Sequence, residues 1–358
     1  MLVVPCMGFR VNRARDRTVG SAAKFPEGEP MAQLITQFEK ACSNVEPEDE
    51  DIENAVAAHE AVRDVLDGDP ELTKLRIETV LIGSYKRHVS IRRVKDVDVF
   101  SRTADLDMTG AAALEMFERI LSAHPDFENH VEVQARSIKV EFPDFDLHVD
   151  AVPARPAGDY MEIPDPEGGW VETNPEELTT LSSKMNDRYD DLYVPIVKLI
   201  RQTRRHNLGD HPGGLYFEVL TYHGFNAGLT GNNRGELYVA ALRSVADQLA
   251  DVVAGSEVED PTMAGKFISV RATDDEHADA ATTFADLATK AETALANTDK
   301  CAAALAFREL LGKTTDGEWV FPMPATCNAD GTTKAFGGRT GNETAGDKEV
   351  PAGDRRFA

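Results

Sequence analysis

The chain has 358 residues, and its 62 acidic and 38 basic side chains give a net charge of −24 at pH 7. This acidity argues against a general binder of duplex nucleic acid, because attraction to phosphate needs a positive surface. No run approaches the roughly 20 apolar residues that span a bilayer, which argues against an integral membrane protein. The four cysteines form no CxxC pair, which is typical of a reduced, cytoplasmic chain and not of a disulfide scaffold.

The first half of the chain predicts a mixture of helices and strands. Residues 1–30 contain only a short apolar run and are rich in Arg, so we expect a disordered extension or a mis-assigned start codon. Apolar spacing from Glu48 predicts a helix that ends at Gly68-Asp69-Pro70. Alternation of apolar and polar residues predicts five strands. They cover residues 77–82, 97–100, 131–133, 138–142 and 145–152, and a helix over 111–121 interrupts them.

After Pro166 the patterns are helical. They cover residues 175–185, 194–206, 215–225, 237–253 and an Ala-rich stretch that Asn297 to Asp299 divides into two helices. From Asn328 onward Gly, Thr, Asp and Ala dominate, which predicts a flexible tail. We therefore divide the chain into an extension (1–30), a core of strands and helices (31–165), a helical domain (166–325) and a C-terminal tail (326–358).

The stretch VLIGSYKRHVSIRRVKDVDVF, residues 80–100, carries the clearest chemical signal. A strand delivers Gly83-Ser84 to a turn that opens a helix, where a hydroxyl and backbone N–H groups suit a phosphate. Asp96 and Asp98 lie on one face of the next strand because Val97 separates them. Two adjacent carboxylates repel each other unless a cation lies between them, and their oxygens suit Mg²⁺.

A third carboxylate is expected on a neighbouring strand. In FDLHVD, residues 145–150, three polar side chains share one face: Asp146, His148 and Asp150. Asp150 is the first candidate, and Asp146 is its alternative. Three carboxylates hold two metal ions in many sites that activate an attacking hydroxyl and stabilise a departing pyrophosphate.

Two further groups of residues have simpler interpretations. A zinc site would use His206, His211, His223, Cys301 and Cys327, but no pair has zinc-finger spacing. Surface or boundary histidines are therefore favoured. Arg201, Arg204 and Arg205 form a basic cluster that would suit a phosphate, although a solvated helix face is the simpler interpretation.

The Gly-Ser turn, the Asp-x-Asp strand and the later Asp together resemble the DNA polymerase β-like nucleotidyltransferase superfamily. Further stretches are similar to bacterial CD-NTases, relatives of cyclic GMP-AMP synthase and oligoadenylate synthase found in CBASS anti-phage operons. These stretches are GSYKRHVSI, VDAVPA, TNP after Trp170, PIVKLIRQ and ALAFRELLG. The resemblance covers about residues 31–325. It implies an α+β, bilobal fold, in which a mixed-sheet nucleotidyltransferase core and a C-terminal helical domain enclose a central cleft.

The resemblance also implies roles for individual residues. Gly83 and Ser84 would hold the donor triphosphate, and Lys198 would approach it. Asp96 and Asp98 would each bind both of two Mg²⁺ or Mn²⁺ ions. Asp150 would be the third metal ligand and the base towards the acceptor hydroxyl.

Two positions depart from the pattern of the family. Many relatives carry a Ser-Tyr pair about four residues before the helix Glu that matches Glu218, where this chain has Gly213-Gly214-Leu215. This weakens the expectation of a second phosphate contact from that helix. His88 stands where a Thr is common.

The implied activity is the synthesis of a cyclic di- or trinucleotide second messenger from NTPs, with release of pyrophosphate. A downstream effector would bind only the product. The enzymatic alternatives are a linear oligonucleotide synthase and the transfer of a nucleotide to protein or RNA. The alternative from a different class is a catalytically silent nucleotide sensor or scaffold, against which the complete set of carboxylates argues.

The end of the chain suggests a further partner. Some CD-NTase operons encode a ubiquitin-transfer-like, E1/E2-like enzyme that joins the C-terminus of the synthase to other molecules. The terminus Gly353-Asp354-Arg355-Arg356-Phe357-Ala358 resembles such a substrate, with Ala358 as the conjugation site. An unselected disordered end explains the same residues equally well.

Overall fold

A computed structural model describes residues 34–268 and 270–335. The predicted extension over residues 1–30 and the predicted conjugation site at Ala358 lie outside the described residues. Within the described ranges, no helix combines the length and the apolar character that a bilayer span requires.

Seven strands of the described residues form one mixed sheet. They are β1 (Ile77–Ile82), β2 (Asp96–Thr103), β3 (Val131–Val133), β4 (Ile138–Phe142), β5 (Leu147–Ala157), β6 (Tyr160–Pro164) and β7 (Trp170–Thr173). The main path runs β1-β2-β5-β4-β3, and β6 joins β5 to β7. Strands β2 and β5 pair in parallel, whereas the other pairs are antiparallel. The five predicted strands are all present, and β6 and β7 extend the sheet beyond them.

The helices follow the predicted order. They are α1 (Ile35–Asn44), α2 (Asp49–Gly68), α3 (Pro70–Lys74), α4 (Gly83–Lys86), α5 (Gly110–Ser122), α6 (Pro175–Arg188), α7 (Tyr193–Leu208), α8 (Gly214–Asn226), α9 (Arg234–Val253), α10 (Asp274–Ala296) and α11 (Lys300–Leu311). The predicted break between α10 and α11 is confirmed, because the Asp299 side chain accepts hydrogen bonds from the backbone N–H groups of Cys301 and Ala302.

Helices α2 and α5 cover one face of the sheet, and this packing decides which side chains reach the other face. Val97, Val99 and Val149 are fully buried in the same apolar cluster as Val62 and Phe117 of the two helices. Successive side chains of a strand point to opposite faces. The polar residues that alternate with these valines therefore lie on the face that α2 and α5 leave open.

A second apolar core holds the helical part together. Phe38 of α1 packs edge-on against Phe307 and Phe321, and its ring centroid lies 6.0 Å from that of Tyr238. Helix α1 therefore packs with α7, α9 and α11, although it precedes the strands in sequence. The described residues belong to one compact unit, and the predicted boundary at residue 165 remains a prediction.

The prediction of a fully reduced chain is wrong for one pair of cysteines. Cys301 and Cys327 form a disulfide, with Cα atoms 5.4 Å apart. Their 26-residue separation explains the error, because two distant single cysteines carry no local pairing signal. Cys42 is a free, buried thiol, and burial raises its pKa to about 11. The first residues of the predicted tail form a turn, in which Asn328 N–H donates to Thr332 O at 2.8 Å.

Candidate active site

The parallel pairing of β2 and β5 brings the predicted carboxylates together. Asp98 lies directly opposite Asp150, and Asp96 lies opposite His148. The alternative third ligand, Asp146, lies outside this set. It has a left-handed backbone (φ 53°) just before β5 and pairs with Lys95. The structure therefore favours Asp150 over Asp146 as the third member of the group.

Gly83 fits against the carboxylate of Asp98 in a way that no other residue allows. Its φ is +75°, and a Cβ placed on it would lie 1.7 Å from Asp98 Oδ2. Glycine is the residue that adopts this backbone conformation without steric cost. Ser84 follows directly, and its hydroxyl lies 3.0 Å from the Ser90 hydroxyl. Helix α4 is only one turn long, so the turn offers a hydroxyl and a close backbone approach rather than a full helix N-terminus.

Asp150 is held by its neighbours on both sides. The Ser137 hydroxyl donates to Asp150 Oδ1 at 3.3 Å, and His148 Nε2 lies 3.6 Å from Asp150 Oδ2. The adjacent Asp150 carboxylate raises the pKa of His148. These contacts fix the orientation of the carboxylate beside Asp98.

The carboxylates destabilise one another's negative charge. Burial, together with the nearby charges of Asp96 and Asp150, raises the pKa of Asp98 to about 7. The positive charges of Arg87 and His148 only partly oppose this rise. A carboxylate whose negative charge is disfavoured by burial and by two neighbouring carboxylates would gain its charge when a cation enters the group.

The donor set fits hard divalent cations, because all three groups offer carboxylate oxygens. Within residues 34–268 and 270–335, no three His, Cys, Asp or Glu side chains already converge as a ready-made metal cage. Asp96, Asp98 and Asp150 are therefore neighbours on one open face. Cys301 and Cys327, the two sulfur ligands of the zinc site that the sequence disfavoured, are joined in the disulfide.

Two cavities meet at this face. The larger one, of about 450 Å³, is lined by all three carboxylates and by residues of α6, α8 and the α9–α10 loop. The smaller one, of about 270 Å³, is strongly basic. Its cations are Arg93, Lys95, Arg201, Arg204 and Arg205. The two cavities share four lining residues, which are Ser84, Asp96, Arg201 and Gly214.

A buried ion pair fastens the Gly83–Ser84 turn to α8. Arg87 Nε and Nη2 donate to the two oxygens of Glu218 at 2.6 and 3.0 Å, and both side chains are almost fully buried. Burial disfavours the charge of Arg87, but Glu218 more than offsets this and the pKa of Arg87 is raised. The sequence showed Glu218 as a helix Glu, but its partner lies 131 residues away and has no local signal.

Two predictions about basic residues have different outcomes. Lys198 is buried, pairs with Glu46 and lines neither cavity. Its approach to a triphosphate remains a prediction that requires this pair to open. The interpretation of Arg201, Arg204 and Arg205 as a solvated face is wrong, because all three line the basic cavity.

Residues 32–186 match the family model of the Second Messenger Oligonucleotide or Dinucleotide Synthetase (SMODS) domain. The chain is also similar to the cyclic AMP-AMP-AMP synthase of Acinetobacter sp. (strain ATCC 27244 / 9458). The two are 28% identical over 290 residues, which cover 77% of this chain and 83% of the relative.

Solved structures share the fold. The CdnC:HORMA-deltaN complex of E. coli MS115-1 matches with a TM-score of 0.61 at 15% identity, over 79% of this chain and 97% of that chain. The CD-NTase CdnG of Bradyrhizobium diazoefficiens, solved with GTP, matches with a TM-score of 0.61 at 16% identity, over 77% and 97%. The predicted α+β fold with a mixed sheet and a helical C-terminal region is confirmed.

Proposed function

We propose that the chain is a bacterial CD-NTase, as its match to the SMODS model and its similarity to the Acinetobacter synthase support, and that it joins NTPs into a cyclic di- or trinucleotide second messenger. One observation carries the proposal. Asp98 stands directly opposite Asp150 on parallel strands, and its carboxylate faces the Gly83 turn at the wall of a cavity of about 450 Å³. Pockets of roughly 300–1,000 Å³ are typical for small-molecule ligands.

The carboxylate face supplies the metal ligands. Asp96, Asp98 and Asp150 would hold two Mg²⁺ or Mn²⁺ ions, which when bound make an acceptor hydroxyl more acidic and neutralise phosphate charge. The chain's own groups orient the substrates. The Ser84 hydroxyl, now paired with Ser90, can turn to donate to a phosphate oxygen. Asp150 Oδ2, which lies beside His148, would accept the proton of the acceptor hydroxyl.

The two cavities would bind different parts of the substrate, because their linings differ in charge. The larger cavity contains all three carboxylates and has room for nucleosides. The smaller cavity carries five cations and two carboxylates, Asp96 and Asp210. Phosphates β and γ of the donor are attracted to the smaller cavity, so pyrophosphate leaves on the side away from Asp98 and Asp150.

A cyclic product is favoured over a linear one by the relative from Acinetobacter, which is named for a cyclic trinucleotide of AMP. ATP is therefore the first substrate to test. Because NTPs are cytoplasmic substrates, we place the enzyme in the cytoplasm, with an anti-phage role in which an effector binds the product.

Product analysis tests this function. The purified chain is incubated with mixed NTPs and Mg²⁺ or Mn²⁺, and pyrophosphate and nucleotide products are measured by mass spectrometry. We expect pyrophosphate together with a product that phosphatase does not shorten, since a ring has no terminal phosphate. A phosphatase-sensitive oligomer would support the linear alternative. Binding of NTP without pyrophosphate, also in the presence of activating partners, would support the silent sensor.

Conjugation at Ala358 forms a separate proposal about partners. Deleting Phe357 and Ala358 should leave nucleotide synthesis by the purified chain unchanged and prevent its conjugation by an E1/E2-like enzyme of the same operon. Equal conjugation of the truncated chain would exclude this role for the terminus.

A further inference from the structure

The turn between β3 and β4 ends at a serine that contacts Asp150. Ser137 lies directly before β4 and is buried. Its hydroxyl donates to Asp150 Oδ1 at 3.3 Å, and both residues line the larger cavity. The hydroxyl therefore reaches the active site from an edge of the sheet that supplies none of the three carboxylates.

The turn fixes the position of this hydroxyl. The backbone N–H of Gln134 donates to Ser137 O at 2.9 Å, which closes the turn. The side-chain oxygen of Gln134 lies 3.2 Å from Ser137 Oγ. A serine hydroxyl carries one proton, so it donates to one acceptor at a time. The charged carboxylate of Asp150 is a stronger acceptor than the amide of Gln134, and the hydrogen bond to Asp150 is therefore favoured.

A cation close to Asp150 is directed elsewhere. Lys139 lies directly opposite Asp150 in the pairing of β4 with β5. Its ammonium nitrogen instead pairs with Glu141 at 2.5 Å and with Glu132 at 3.6 Å. An ammonium group on Asp150 would compete with a metal ion for the negative charge. The Ser137 hydroxyl orients the carboxylate and leaves its charge in place.

The two oxygens of Asp150 consequently have different surroundings. Oδ1 accepts the hydrogen bond from Ser137, whereas Oδ2 lies 3.6 Å from His148 Nε2. The terminal torsion of an aspartate side chain has broad energy minima. One held oxygen restricts this rotation, and loss of the hydroxyl would allow the carboxylate to turn.

We infer that Ser137 is a positioning residue for the reaction, because it holds Asp150 Oδ1 and so presents Oδ2 to the acceptor hydroxyl. The proton moves from the acceptor hydroxyl to Oδ2, while the hydroxyl oxygen bonds to the α-phosphorus of the donor and pyrophosphate departs. This inference rests on the proposed function and deepens it. Ser137 acts through Asp150 and needs no contact with the nucleotide.

Kinetics distinguish this role from a general contribution to stability. Ser137→Ala should lower kcat for pyrophosphate release about tenfold, since the hydrogen bond that orients the base is lost, and should change KM for ATP less than about twofold. Ser137→Thr retains a hydroxyl and should recover most of the turnover. Equal kcat for folded Ser137→Thr and Ser137→Ala would contradict the inference.

Ser101→Ala is the matched control. Ser101 is a fully buried serine of β2 in the same sheet, and its hydroxyl has no hydrogen-bond partner in the described part of the chain. It lines neither cavity. The control should leave kcat and KM within about twofold of the native values. Equal losses of kcat in Ser101→Ala and Ser137→Ala would show a general effect of the sheet and overturn the assignment.

Two further measurements do not depend on turnover. Titration calorimetry with Mg²⁺ and a non-hydrolysable ATP analogue should give the same Kd for Ser137→Ala and the native chain within about twofold. A tenfold weaker Kd would indicate a direct contact with the substrate and overturn the positioning role. Crystal structures should show one orientation of the Asp150 carboxylate in the native chain and a rotated or divided one in Ser137→Ala. An unchanged orientation would contradict the inference, even if the chain made no cyclic product and the proposed function failed.

Discussion

Two clusters of charged side chains lie at the wall of the larger cavity, which the three carboxylates and Arg87 line directly, and they are organised in opposite ways. On the sheet, Asp96, Asp98 and Asp150 gather like charges, and the pKa of Asp98 is raised to about 7. On the helices, Glu218 neutralises Arg87 through two short hydrogen bonds. Like charges that nearby cations compensate only in part cost stability and indicate a ligand. Opposite charges buried together maintain the structure around that ligand.

The largest effect is expected from the carboxylates. Changing Asp96 and Asp98 together to Asn should lower nucleotide synthesis by more than about a thousandfold, because the metal ligands and their charge are lost. The free energy of unfolding should stay the same or rise, since the repulsion is removed. Pyrophosphate release and urea unfolding measure the two quantities. Full turnover by the double variant would contradict the assignment of these carboxylates.

Removing one partner of the buried Arg87–Glu218 pair should instead lower the free energy of unfolding. Glu218→Gln should lower the free energy of unfolding by about 3–5 kcal/mol, because Arg87 remains charged and buried without its partner. Glu292→Gln is a matched control. It removes a carboxylate that binds Arg243 with similar geometry, at 2.7 and 2.9 Å, but with both side chains about one-third exposed. The control should cost less than about 1 kcal/mol. Equal losses in urea unfolding would show that burial does not set the difference.

The disulfide is a covalent link within the helical part, and its loss should affect stability without affecting metal dependence. Replacing Cys301 and Cys327 by Ser should lower the free energy of unfolding by about 3 kcal/mol, because the unfolded chain regains the freedom of the closed loop. A reductant should destabilise the native chain by a similar amount and leave the double variant unchanged. Identical unfolding curves for both proteins under oxidising conditions would exclude a stabilising disulfide.

The smallest effect concerns a buried group that is neither charged nor paired. Burial lowers the pKa of His59, and its Nδ1 has no hydrogen-bond partner in the described ranges. The unfolded chain therefore binds a proton more readily, so the stabilisation that neutral His59 provides is present above its unfolded pKa of about 6.5 and falls as the pH decreases below it. The stability difference between the native chain and His59→Gln should shrink between pH 7.5 and pH 5.5. A pH-independent difference would contradict this account.

The sequence predicted the carboxylate cluster on the sheet better than the charged cluster on the helices. Alternation of Asp and Val on β2 and β5 is a local pattern, and it identified Asp96, Asp98 and Asp150 before their register was known. It could not decide between Asp150 and Asp146. That choice depended on the left-handed backbone of Asp146 and its pairing with Lys95.

The helical cluster depended on contacts across long stretches of chain. Arg87 and Glu218 are 131 residues apart, and Lys198 meets Glu46 across 152 residues. No periodicity records such pairs, so the sequence shows neither the partner of Arg87 nor that of Lys198. The sequence shows that Gly213-Gly214 departs from the family pattern. Only the structure shows that the guanidinium group of Arg201 packs against Gly214.

The division of the site into a carboxylate face and a basic cavity can be tested most directly by crystallography with Mn²⁺ and a non-hydrolysable ATP analogue. The account predicts anomalous peaks beside Asp96 and Asp98. It also predicts that the β- and γ-phosphates lie in the smaller cavity, within hydrogen-bonding distance of Ser84 and Arg201. Phosphates bound elsewhere, or Mn²⁺ absent from the carboxylates of a nucleotide-bound chain, would contradict it.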